Sequence, residues 1–123
     1  MAQTIEQMLD EGIKELDALQ QMGIRLKETD VKTSQIRKFF GALKRIQVDF
    51  DNLKSEIILL EPRLAYAYGK AKGGDGGKEG LKHMYDTLGP LIKKIDINPE
   101  KFNRFVQITE AVVAYHKAEG GKE

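Results

Sequence analysis

Residues 33–50 read TSQIRKFFGALKRIQVDF. Apolar side chains recur within this stretch at Ile36, Phe39, Phe40, Leu43, Ile46 and Phe50, the three- and four-residue spacing of an amphipathic helix. Thr33 or Ser34 supplies a hydroxyl that can cap its start. The apolar stripe is consumed by a core, so Arg37, Lys38, Lys44 and Arg45 are left on the other side. Steps of seven relate Arg37 to Lys44 and Lys38 to Arg45, which spreads the four over one broad face about two turns long.

The same periodicity extends in both directions. Upstream, Ile5, Met8, Leu9, Ile13, Leu16 and Leu19 form one stripe, opened by Gln3 or Thr4 and expected to close at Gly23 as a left-handed cap. Ile24 to Lys32 is expected to be a connector. Downstream, Leu53, Ile57, Leu60 and Leu64 continue in register until Lys72, with Pro62 marking a kink or a fresh helix start. Residues 73–77, Gly-Gly-Asp-Gly-Gly, read as a flexible loop because four glycines in five residues carry too much backbone entropy for a helix. A further helix is expected over residues 78–95, with a kink or break at Gly89–Pro90. Asn98-Pro99-Glu100 is a start signal of cap, proline and first-turn acid. The last helix carries Phe102, Phe105, Val106, Thr109, Val112, Val113 and His116, and a disordered tail is expected from about residue 119. No segment alternates as a strand.

The expectation is an all-α fold, a compact bundle of five or six helices forming a single domain over residues 1–123. Phe39, Phe40, Leu43, Leu64, Tyr66, Leu88, Phe105 and Val112 are its expected core. Tyr66 and Tyr68 project to different sides of their helix, and Tyr66 is read as the packed one.

The 123 residues include no cysteine, which excludes disulfides, thiolate zinc sites and a thiol nucleophile, and fits a reducing cytoplasm. The N-terminus has no basic segment leading into an apolar run, so it does not read as a signal peptide. No apolar stretch approaches the roughly 20 residues of a membrane span, so no membrane partner is expected. His83 and His116 lack any metal-ligand spacing, and His116 reads as a partly buried, hydrogen-bonded side chain. Glu110, among apolar neighbours, reads as a candidate buried ion-pair partner. No catalytic set and no cofactor motif emerges; the glycine cluster lacks the Gly-Lys-Ser/Thr ending of a nucleotide loop.

The net charge of +1 conceals an uneven distribution. Residues 1–30 carry seven acids and three bases, residues 31–72 four acids and nine bases, and residues 73–123 eight of each. The middle third is thus a basic block able to attract a polyanion locally. Arg63 and Lys72 belong to this block by the same analysis of helix faces. The bland alternative is a solvated, lysine-rich helix surface.

Three stretches taken together resemble a known family: Thr33-Ser34-Gln35-Ile36-Arg37-Lys38-Phe39-Phe40, Leu64-Ala65-Tyr66-Ala67-Tyr68-Gly69-Lys70, and Phe105 with Glu110-Ala111-Val112-Val113-Ala114-Tyr115-His116-Lys117. Their order and spacing over residues 30–120 are similar to the small subunit of the type III-A CRISPR (Csm) effector complex. The resemblance implies a small helical bundle whose copies stack as a filament beside the guide-binding subunits. It implies contact with guide RNA and target RNA, mainly at the sugar–phosphate backbone, and no catalysis of its own, since cleavage belongs to a neighbouring subunit. Arg37 and Lys38 lie inside the matching motif. Lys70 stands where an arginine is expected; it keeps the charge but not the bidentate fork. The expected RNA-binding residues are therefore Arg37, Lys38, Lys44, Arg45, Arg63, Lys70 and Lys72. Self-association, through apolar residues of the first helix or around Gly89–Pro90, is also expected. Two alternatives remain: a protein–protein scaffold or homodimer module without RNA contact, and a small helical enzyme.

Overall fold

The computed structural model describes residues 3–121, apart from the side chain of Asp75. Its elements are α1 (Ile5–Glu11), α2 (Asp17–Glu28), α3 (Thr33–Val48), the single turn α4 (Phe50–Leu53), a 3-10 segment (Lys54–Leu59), α5 (Leu60–Lys70), a π-type turn (Ala71–Asp75), α6 (Lys78–Ile95) and α7 (Pro99–Ala118). Six of the helices are seven residues or longer, and no strand occurs among the described residues. The chain is an all-α bundle, as the periodicity predicts.

The long C-terminal helix α7 is the axis of the packing. α2, α3 and α1 lie against it, while α5 pairs with α6 on the other side of α3. Phe102 and Phe105 of α7 are fully buried. Phe105 meets Phe39 of α3 edge to face, with ring centroids 6.3 Å apart, and Phe102 packs against Phe50 at 5.7 Å. Aromatic pairs in these orientations add to the burial of their area. Arg104 of α7 donates to the carbonyl oxygens of Leu9 (3.2 Å) and Asp10 (2.8 Å). It thereby satisfies carbonyls left without partners at the end of α1.

The first apolar stripe is not one helix. Thr4 caps α1, accepting from the Gln7 N–H while the Gln7 side chain accepts from the Thr4 N–H. The helix stops at Gly12, whose φ is 88°, and α2 starts five residues later. Gly23 lies inside α2 rather than at its end. A Cβ there would sit 2.6 Å from the Tyr115 Cβ and 2.8 Å from the His116 backbone nitrogen. Glycine at this position allows the backbones of α2 and α7 to approach more closely than any other residue permits. Helix α2 then runs on to Glu28, so the expected connector shrinks to a tight turn over residues 29–32.

Other boundaries follow their local signals. Pro62 falls in the first turn of α5, a fresh start. Helix α6 passes through Gly89–Pro90 without a break. The Asn98 side chain accepts from the Lys101 N–H with Pro99 at the first helical position. At the other end of α7, the Gly120 N–H donates to Lys117 and the Gly121 N–H to His116, the paired bonds of a Schellman motif. Of the expected disordered tail, residues 119–121 form this cap, and residues 122 and 123 lie outside the described residues.

Six of the eight expected core residues are buried: Phe39, Leu43, Leu64, Leu88, Phe105 and Val112. Phe40 is half-buried. Tyr66 is 69% exposed and is a correction. The buried side of α5 runs through Leu60 and Leu64, and a residue two positions beyond Leu64 is rotated about 200° away from it. Tyr68, four beyond Leu64, is the tyrosine packed against the core. Glu110 is exposed, not buried. His116 is fully buried, and its Nε2 lies 2.6 Å from the Val31 carbonyl oxygen. A carbonyl can only accept, so Nε2 carries the proton and the ring ties the end of α7 to the α2–α3 turn.

Candidate nucleic-acid interface

An open groove of about 700 Å³ lies between the N-terminal half of α3, the end of the 3-10 segment and α5. Its cationic lining comes from Lys32 and Lys38 on one wall and Arg63 and Lys70 on the other. Phe39, Leu59, Pro62 and Tyr66 supply an apolar floor and rim. The helical repeat explains the α5 wall: Arg63, Tyr66 and Lys70 are three and four residues apart and share one exposed stripe, opposite Leu60 and Leu64. On the α3 wall, Ser34 and Lys38 are one turn apart for the same reason. Lys38 and Arg63 make no ion pair among the described residues.

The glycine turn closes one end of this groove. Gly74, with φ of 124°, contributes to the lining. Gln35 clamps the turn to the start of α3: its Oε1 accepts from the Lys32 N–H (2.8 Å) and its Nε2 donates to the Gly76 carbonyl (2.9 Å). Gly77, at φ 76°, rests on the α2–α3 turn, where a Cβ would lie 3.0 Å from the Val31 Cα. A left-handed backbone with so little space around it favours glycine on both counts.

The seven expected site residues are all exposed, and they divide. Lys38, Arg63 and Lys70 come together in the groove. Arg37, Lys44, Arg45 and Lys72 are not among its lining residues. Arg45 forms a 2.6 Å ion pair with Glu56. That hydrogen bond, and then the Glu56 charge, raise the Arg45 pKa above its ordinary value. Lys44 donates to the Gln47 side chain at 2.8 Å and lies 5.9 Å from the Phe40 ring centre. Lys72 sits 5.0 Å from the centre of the Tyr68 ring, and Lys70 sits 5.7 Å from that of Tyr66. Lys32 is the groove cation that the sequence reading did not single out. It precedes the helix, so no face analysis reaches it, yet its place beside the Thr33–Ser34 cap signal marks it.

No group of three or more histidines and acids is placed to hold a metal ion among the described residues. His83 is half-buried, and burial followed by the nearby Arg25 charge lowers its pKa below the ordinary imidazole value. No helix of the described chain is long and apolar enough to cross a membrane.

A cationic groove with an apolar floor on an all-α bundle is one half of the case; comparison with known proteins supplies the other. The family model described as Csm2 Type III-A matches residues 4–122. Neither the curated proteins nor the solved structures gave a match. The match covers nearly the whole chain, including both helices that wall the groove. The chain therefore belongs to the Csm2 Type III-A family and is a small subunit of a type III-A CRISPR complex.

Proposed function

We propose that this chain is a non-catalytic, filament-forming subunit that holds guide RNA and target RNA by the sugar–phosphate backbone, in the cytoplasm, as part of antiviral defence. The observation that carries the reading is the convergence of Lys32, Lys38, Arg63 and Lys70 on one groove from two helices and a turn. Arg37, Lys44, Arg45 and Lys72 extend the basic surface beyond it, and Arg45 would exchange Glu56 for phosphate. Backbone contacts position a strand without reading its sequence, which suits a complex that must accept any guide. The RNA component is tested by binding the isolated chain to single-stranded RNAs of different sequence over a salt series. Three to four phosphate contacts give a slope of about −2 to −3 in log affinity against log salt, at roughly −0.7 per contact. Sequence preference that survives high salt would contradict the reading.

Stacking with neighbouring subunits is the second component. Val48 is 81% exposed and Ile58 54%, and neither lines the groove. They add to the contacts expected at the first stripe and around Gly89–Pro90; Met8 and Leu9 of α1 are buried in the core, whereas Leu16 is 48% exposed. The isolated chain is expected to sediment as a dimer or as a concentration-dependent equilibrium. A pure monomer at high micromolar concentration would count against self-association. The same exposed residues favour the scaffold alternative, in which protein contacts alone hold the subunit in place and the salt series finds no RNA binding.

A further inference from the structure

We infer that the groove accepts an unpaired nucleobase of the bound RNA, stacked on the Tyr66 ring. This deepens the backbone reading and rests on it. A phosphate ladder needs cations in water and nothing more. This groove also presents Phe39, Leu59 and Pro62, and an aromatic ring that folding leaves 69% exposed. Tyr66 lies between Arg63 and Lys70 on one stripe of α5, with the Lys70 ammonium 5.7 Å from the ring centre. A flat π-face flanked by cations matches the two halves of a nucleotide: the base stacks and the adjoining phosphates meet the charges. The positive end of the α3 dipole opens on the same space through Lys32 and Ser34 and adds to the attraction for phosphate. The volume of about 700 Å³ falls within the range of small-molecule sites, roughly 300–1,000 Å³.

The polar lining also indicates what the site does not read. Gln35, the amide best suited to a base edge, is already committed at both ends to Lys32 and Gly76. Stacking without edge recognition makes the site tolerant of base identity. It also sets single-stranded RNA apart from duplex, whose bases are stacked inside the helix. An acidic helix from a partner would satisfy the cations, but it would not call for an exposed planar ring.

The test compares a single-stranded RNA hexamer with an abasic hexamer carrying the same phosphates, each titrated into the ¹⁵N-labelled full chain. The wild type is expected to prefer the base-bearing strand by about five- to a hundredfold, and Tyr66→Ala to abolish that preference while changing abasic affinity by less than about twofold. Tyr66→Phe keeps the ring and is expected to keep the preference. Because Tyr66 is exposed, its variants are expected to retain the fold, which the same spectra report. Equal wild-type affinity for both strands, with strong salt dependence, would overturn the base site and leave the backbone reading standing. No shift with either strand up to millimolar concentration would overturn both. A Tyr66→Ala variant that changes sedimentation but leaves strand preference intact would assign the groove to a second copy of the chain and overturn the inference.

Discussion

Replacing Phe105 with alanine is expected to lower the unfolding free energy by about 3–5 kcal/mol, the range for a fully buried phenylalanine. The residue has no solvent exposure, and its ring is held edge to face by Phe39. Deleting the ring removes its burial and leaves a cavity where α3 meets α7. Rigid neighbours on both helices limit collapse into that space. The consequence also reaches the groove, because Phe39 packs against Phe105 and lines the groove floor. Urea unfolding followed by helical ellipticity reads the loss directly. A change below about 1 kcal/mol would fall outside the core range and contradict the packing described here.

The double substitution Lys38→Glu/Arg63→Glu is expected to weaken RNA binding by the isolated chain strongly. The two cations face the groove from opposite walls, so reversing both converts much of its charge at once. At about 4 Å in water each reversal removes roughly 1 kcal/mol of attraction and adds a similar repulsion. Salt near 0.1 M screens part of this, and the net loss is on the order of ten- to a hundredfold. The salt slope should flatten by about 1.4, two contacts at roughly 0.7 each. Both residues are exposed and outside any ion pair among the described residues, so helicity should not change. The control Lys27→Glu/Lys93→Glu, on α2 and α6, carries the same change in net charge away from the groove. Equal effects from the two double variants would mean that overall charge, not this surface, attracts RNA.

Much of the fold was legible in the sequence because its signals are local. Asn98-Pro99 starts α7 through a cap and a missing N–H, and Ile36 to Ile46 define the buried side of α3 by spacing alone. Gly23 misled because glycine has two uses. As a helix end it needs a left-handed backbone; here it stays helical and grants space to Tyr115 and His116, far along the chain. No local pattern separates the two. Tyr66 and Tyr68 differ for another reason: the register from Leu60 and Leu64 puts Tyr68 on the buried side and Tyr66 on the exposed one, whereas the general preference for burying aromatic rings does not distinguish them.

The site was legible in composition but not in assembly. The basic block, residues 31–72, contains all four cations that line the groove. Which of its cations meet depends on α5 folding back beside α3, and that is a property of the bundle. Arg63 and Lys70 therefore join Lys38 across the groove, while Arg45 finds Glu56 on the 3-10 segment. Lys32 enters through the turn that His116 and Val31 hold in place.

Whether the groove holds RNA in the working assembly is decided by target RNA binding to the type III-A complex, reconstituted with either the wild-type chain or a Lys38→Glu/Arg63→Glu/Lys70→Glu variant. The variant is expected to assemble, since all three side chains are exposed. Its target RNA binding is expected to be weaker for every guide sequence alike, with a flatter salt dependence than that of the wild type. Complexes that assemble with the variant and bind target RNA as tightly as the wild type across the salt series would rule out this groove as the RNA contact.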